Sequence, residues 1–183
     1  RPGAAEVPVA EETARVLPAI SALTGVAALS VDTRKAPVAR AAVAAGAGMV
    51  NDVSGLDFDP GMAAAVAETG AALCLMHAQG LPETMQDDPR YGDVLLDVYD
   101  ALAARIARAE AAGVPRARIV VDPGIGFGKT TAHNLALLRR IGLFHGLGVP
   151  VLLGVSRKRF IGQIGGGAEA AARDPGTLAL TLA

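Results

Sequence analysis

Four short apolar runs in this sequence end in polar residues: Ser30-Val31-Asp32-Thr33, Val50-Asn51-Asp52, Ile119-Val120-Val121-Asp122 and Leu153-Gly154-Val155-Ser156-Arg157-Lys158. A carboxylate accepts hydrogen bonds, a carboxamide accepts and donates, and an ammonium donates. Gathered in one place, Asp32, Asn51, Asp122 and Lys158 could hold a flat, nitrogen-rich ring, the carboxylates taking its amino and ring N–H groups. Each alone has an ordinary alternative, because Asp suits the capping of a following helix or turn. Ser156, Arg157 and Lys158, with the N–H groups of a short helix over 159–164, make a pattern suited to a carboxylate or phosphate, against the alternative of a solvated basic turn.

The segment Asp122-Pro123-Gly124-Ile125-Gly126-Phe127-Gly128-Lys129-Thr130 is the densest loop signal. A Walker loop would need glycine where Pro123 stands, and a dinucleotide fingerprint starting at Gly124 would need glycine at Lys129. Neither pattern is met. What remains is a strand-to-helix loop whose glycines let backbone approach a ligand, with Asp122 at its base. His77, His133 and His145 lack metal-ligand spacing, no Gly-x-Ser-x-Gly elbow is present, and Cys74 sits inside the apolar run 71–76, where a buried reduced thiol is expected. His77 opens a loop to Asp93 long enough to act as a lid or binding loop.

The elements that must position these residues alternate between short runs rich in Val, Leu and Ile and alanine-rich helical stretches, the rhythm of βα units around a parallel sheet. Strands are expected over 27–31, 47–51, 71–76, 118–121 and 149–154, continuously apolar as strands covered on both faces are. Helices are expected over 60–69, capped by Asp59 and closed by Gly70; after Asp93, with Leu95, Val98, Tyr99, Leu102 and Ile106 on one face; and over 11–23, where Pro18 predicts a kink or break. The ends of parallel strands converge on one rim, where the sites of barrels and open sheets lie. Five strands suit either a doubly wound sheet or a part of a (β/α)₈ barrel, and composition does not separate them.

With 183 residues, 51% of them hydrophobic, and a net charge of −1, the chain has enough material for one core and no basic face for nucleic acid. No apolar run approaches the roughly 18 residues that span a bilayer. A small-molecule partner and a reducing cytoplasm fit best. The sequence begins at Arg1 and ends in an apolar helical run, so a single domain over 1–183, truncated at both ends, is the expectation.

Taken in order, Arg1-Pro2-Gly3-Ala4, Ser30-Val31-Asp32-Thr33, Asn51-Asp52-Val53, Leu75-Met76-His77, Gln79-Gly80, Asp122 to Lys129, His133-Asn134 and Ser156-Arg157-Lys158 resemble the dihydropteroate synthase family across the whole chain. The resemblance implies a (β/α)₈ TIM barrel, here partial and lacking the N-terminal and C-terminal strands. It implies condensation of 6-hydroxymethyl-7,8-dihydropterin pyrophosphate with para-aminobenzoate, by displacement of pyrophosphate. Asp32, Asn51, Asp122 and Lys158 match the positions holding the pterin ring, Met76 and Phe127 the walls beside it, and Ser156 and Arg157 the site that receives the aminobenzoate carboxylate, with Gly154 also among the substrate-binding positions. Arg1 matches a residue beside the pyrophosphate and with Lys158 is the candidate catalytic pair. The resemblance also implies magnesium bound with the pyrophosphate and a homodimer. The family's Asn-containing segment, where the metal ligand is expected, and its late Arg-x-His segment do not occur in these residues, so the chain alone is expected to be inactive and poorly folded. A methyltetrahydrofolate-dependent methyltransferase, disfavoured by Ser-Arg-Lys, and a non-catalytic pterin-binding barrel protein are the alternatives.

Overall fold

The computed structural model describes residues 6–80, 84–166 and 169–182. Four strands, β1 (Ser30–Asp32), β2 (Met49–Asp52), β3 (Ala72–Met76) and β4 (Ile119–Asp122), pair in parallel in the order of the sequence. Before β1 lies α1 (Val9–Leu23), and the crossovers are α2 (Ala36–Ala44), α3 (Met62–Thr69) and α4 (Val94–Ala111). After β4 come α5 (Thr131–Arg139), a 3₁₀ segment (Ile141–Leu147), α6 (Arg159–Gly165) and α7 (Asp174–Leu182).

Strictly sequential order decides between the two architectures left open by composition. A doubly wound sheet reverses its strand order at a switch point, whereas a barrel adds each strand beside the last. Side-chain parity agrees. Val31, Val50, Leu73, Leu75, Ile119 and Val121 share one face and join a single core with Ala39, Met62, Val66, Leu102, Ile106 and Leu137 from the helices. The helices therefore cover one face of the sheet. The opposite face carries Asp32, Met49, Asn51, Cys74, Met76, Val120 and Asp122, the smaller and more polar set that faces a barrel interior.

Several boundaries differ from expectation. All four strands begin later than predicted, β1 only at Ser30, and Asp32, Asp52 and Asp122 are the last residues of strands. The predicted strand over 149–154 reduces to one parallel bridge, Val121 to Val151, supported by Val121 N–H to Pro150 O at 3.0 Å and Leu152 N–H to Val121 O at 2.8 Å. Pro150 has no N–H to extend the ladder, and no described strand lies on the far side of this segment. Helix α1 runs through Pro18 as one element; the lost N–H removes a single hydrogen bond and the packing of Val16 and Ile20 on the core holds the helix on both sides.

Asp59 does not cap the helix that follows it. Its Oδ2 accepts from Ala36 N–H at 2.8 Å, the first residue of α2, and its Oδ1 from Gly61 N–H at 2.8 Å. One carboxylate thus ties the starts of neighbouring helices together. Gly70 closes α3 in the left-handed conformation at φ 69°, as expected, and the helix expected after Asp93 is capped by Asp93 itself, which accepts from Leu95 and Leu96 N–H. Among the described residues no helix is long and apolar enough to cross a membrane. Replacing Asp59 by Ala is expected to lower the unfolding free energy by about 1–2 kcal/mol, because orphaned N–H groups remain at two helix starts; urea denaturation of the variant beside the parent measures it, and Asp59→Asn should recover part of the loss.

Candidate functional site

Register explains how residues far apart in sequence meet. Asp32 pairs with Asn51, Asn51 with Cys74, and Met76 with Asp122. Because strand side chains alternate, all five point to the inner face, at the C-terminal ends of their strands. Asp32 stands exposed at the rim, whereas Met76 and Asp122 are buried at 2% and 7% exposure. Asn51 is half-buried, and its Oδ1 is buried without a hydrogen-bond partner among the described residues. A buried amide oxygen left unpaired is costly and calls for a donor.

Asp122 anchors the glycine loop. Its Oδ1 accepts Gly124 N–H at 2.7 Å, while its Oδ2 lies beside Gly154, where the absence of a side chain leaves room. Burial pushes the Asp122 carboxyl up, opposed by the Gly124 N–H and the cations Lys158 and Lys129. The Lys158 ammonium is pushed down by burial and lifted by Asp122. For both members of this pair the cost of burial outweighs their mutual attraction. The Lys158 Nζ also lies 4.2 Å from the centroid of the Phe127 ring.

The loop adopts its path because glycine stands at its left-handed positions. At Gly124, φ 68°, a Cβ would overlap the His77 carbonyl, and at Gly128, φ 59°, it would overlap the backbone of Gln79. Gln86 Nε2 donates to Gly126 O at 2.6 Å and Tyr91 Oη to Gly128 O at 2.7 Å. Gln79 braces its own loop by bonding the backbone N–H and C=O of Arg90. The described part of the loop after His77 is thus pinned against the glycine loop.

Above this floor opens a cavity of ≈ 1140 Å³, whose lining includes Asp32, Phe127, Lys129, Ser156, Arg157 and Lys158. Asn51, Met76, Asp122 and Gly154 do not line this cavity; Met76 and Asp122 are buried beneath it. Ser156 and Arg157 are exposed, and Arg157, at φ 53°, is held to α7 by Nε to Asp174 Oδ1 at 2.8 Å and by its N–H to Thr177 Oγ1 at 2.9 Å. Arg1 lies outside the described residues. The ring candidates Asp32, Asn51, Asp122 and Lys158 therefore converge on one end of the sheet, as their positions at strand ends predict.

Magnesium finds no ligand set of its own among the described residues. Among the described residues no group of three His, Cys, Asp or Glu side chains could hold a metal, and the carboxylate lining the cavity, Asp32, faces Lys129, Arg157, Lys158 and Arg159.

Four residues escape the sequence reading. Asp52 is fully buried and folds the loop after β2 by accepting from Ser54 and Leu56 N–H. Arg105 donates to Met76 O at 3.1 Å and, together with Arg108, grips Asp57, whose carboxyl these guanidinium groups hold below its usual range against the cost of burial. An arginine within the apolar stripe Val98, Leu102, Ile106, Ala109 was the available signal. Lys129 is 3% exposed and contacts His77, whose ring burial and nearby cations hold neutral at a pKa of about 3.

Comparison with known proteins now gives this architecture its class. The sequence matches the pterin binding enzyme family over residues 1–183, and the chain belongs to that family. It is 46% identical to the dihydropteroate synthase of Escherichia coli (strain K12) over 166 residues, 90% of this chain and 58% of the relative. It superposes with TM-score 0.93 at 48% identity on Xanthomonas albilineans dihydropteroate synthase with 4-aminobenzoic acid, over 100% of this chain and 65% of that one. The same enzyme in complex with 7,8-dihydropteroate gives TM-score 0.90 at 46% identity, over 98% and 66%. The chain thus spans 58% to 66% of the length of these proteins and is a partial (β/α)₈ barrel.

Cys74 lies on the inner face between Asn51 and Val120, fully buried, and burial with the nearby carboxylates of Asp122, Asp32 and Asp52 pushes its thiol up to about 12. At pH 8 it stays a thiol. Folded protein is expected to show no reaction with a thiol-specific aromatic disulfide, and the same protein in guanidinium to release one equivalent.

Proposed function

We propose that this chain supplies the pterin and aminobenzoate site of a dihydropteroate synthase, which joins 6-hydroxymethyl-7,8-dihydropterin pyrophosphate to para-aminobenzoate and releases pyrophosphate. The observation that carries the reading is the unpaired, buried Oδ1 of Asn51, on the same face as Asp122 and below a cavity edged by Lys158. A flat ring with N–H donors along one edge would satisfy Asn51 Oδ1 and Asp122 Oδ2 together. The names of the relatives support the same substrates.

In the proposed reaction the aromatic amine attacks the pterin methylene carbon. The new C–N bond forms as the C–O bond breaks, pyrophosphate leaves with the bonding pair, and the amine nitrogen loses a proton. Asp122 and Asn51 fix the ring, the Phe127 ring forms a wall, and Lys158 places a cation where both substrates meet. Ser156 and Arg157 receive the aminobenzoate carboxylate at the cavity edge. No covalent attachment to the protein is required. The magnesium that the family resemblance implies finds no ligand set among the described residues, and no step is assigned to it here. The position of Ser156, Arg157 and Lys158 on the cavity favours this reaction over methyl transfer. A cytoplasmic location is supported by the buried free Cys74, and a homodimer by the exposed apolar residues Ile164 on α6 and Leu178 and Leu182 on α7.

The test uses this chain set between the flanking segments of the E. coli relative, termed the flanked chain. It should form dihydropteroate from the two substrates, whereas residues 1–183 alone should form none. Asp122→Ala in the flanked chain should weaken pterin binding by about 2–4 kcal/mol, since a charged acceptor in a desolvated pocket is lost, and Asn51→Ala should act in the same direction. Calorimetric titration with the pterin measures both; unchanged affinity in the two variants would remove the assignment.

A further inference from the structure

Lys129 is a charged side chain buried inside a backbone loop. Its Nζ lies 3.0 Å from His77 Nδ1, 3.3 Å from His77 O and 3.0 Å from Phe127 O. With the imidazole neutral, Nδ1 accepts and the ring proton sits on Nε2, so each of the three ammonium protons has an acceptor. These acceptors come from two elements, the residue following β3 and the crown of the glycine loop. Between them the backbone is packed so closely that Gly124 admits no side chain against the His77 carbonyl.

The Phe127 carbonyl is drawn inward to the ammonium, so its side chain is the part of the residue left for the cavity. That ring lies under Lys158 Nζ at 4.2 Å, and Gly126 beside it would meet the Lys158 stem if it carried a Cβ. The contacts run in one chain, from His77 through Lys129 and the Phe127 backbone to the Phe127 ring and Lys158. No other described cation reaches the Phe127 carbonyl.

We infer that Lys129 is a positioning residue of the pterin-binding site: its buried ammonium ties the glycine loop to the end of β3 and thereby fixes the Phe127 ring and, through it, Lys158. The inference rests on the proposed reaction for its consequence in turnover, but not for the placement of Phe127. Burial is costly for the ammonium, pushing it down to about 7 with Asp122 opposing and Arg105 and Lys158 adding to the shift. A lysine kept inside at that cost, with methionine able to fill the same volume, is retained for what its protons hold.

Two variants of the flanked chain test this. Lys129→Met keeps the stem and removes all donors; Lys129→Gln keeps an amide N–H₂ that can still donate to one or both carbonyls. The chain has four phenylalanines, so 4-fluorophenylalanine labelling gives a small set of ¹⁹F signals, with that of Phe127 assigned by its loss in Phe127→Leu. In Lys129→Met the Phe127 signal should shift and broaden while those of Phe144 and Phe160 stay, and in Lys129→Gln it should move part of the way. In turnover, KM for para-aminobenzoate should rise about tenfold in Lys129→Met and less in Lys129→Gln, whereas a loss of folded protein would lower kcat and leave KM unchanged. An unmoved Phe127 signal in folded Lys129→Met overturns the inference whatever the activity. A moved signal upholds the placement even if the parent flanked chain makes no dihydropteroate, an outcome that would instead count against the proposed reaction.

Discussion

Parallel register is the constraint on which the rest of this structure depends. Asp32, Asn51 and Cys74 occupy one row and Met76 and Asp122 another, two residues further along. Since side chains alternate across a strand, a slip of one residue in any pair would send a site residue into the helical layer and a core valine into the cavity. Val50 and Leu73, both without exposure, guard against that slip, because each is packed in the apolar core against the helices, where a polar side chain in its place would lose its water. The hydrophobic core therefore sets the site's geometry without touching the ligand.

A second layer of order comes from cations that the sheet end keeps from water. Successive carbonyls at the end of β3 are met from different directions, Met76 O by Arg105 of α4 and His77 O by Lys129 of the glycine loop. An isolated charge in such a place would be prohibitive; here Arg105 meets Met76 O and Asp57 Oδ2, and Lys129 meets His77 Nδ1, His77 O and Phe127 O. Arg105 secures the loop after β2 through Asp57, and Lys129 secures the loop after β4 through Phe127. Membership of the pterin binding enzyme family gives this arrangement its context, and Asn51 Oδ1 is a buried acceptor without a hydrogen-bond partner among the described residues.

The amino-acid sequence by itself determined the element types, the helix end at Gly70, the concentration of polar residues at strand ends and the glycine loop that is neither nucleotide motif. These are local properties, written in residue type and in periods of two and 3.6. It also identified Asp32, Asn51, Asp122 and Lys158 as one group, because parallel strands share the direction in which their ends point. Tertiary structure alone decided what depends on neighbours. The segment around Val151 has strand composition but forms one bridge, since a strand is defined by its partners and not by its own residues. Asp59 precedes Pro60 as a cap should, yet it serves the helix beginning at Ala36, which folding brings beside it. Lys129 and Arg105 lie buried, because the acceptors that make burial tolerable are contributed by residues 52 and 29 positions away, and no local pattern records that distance.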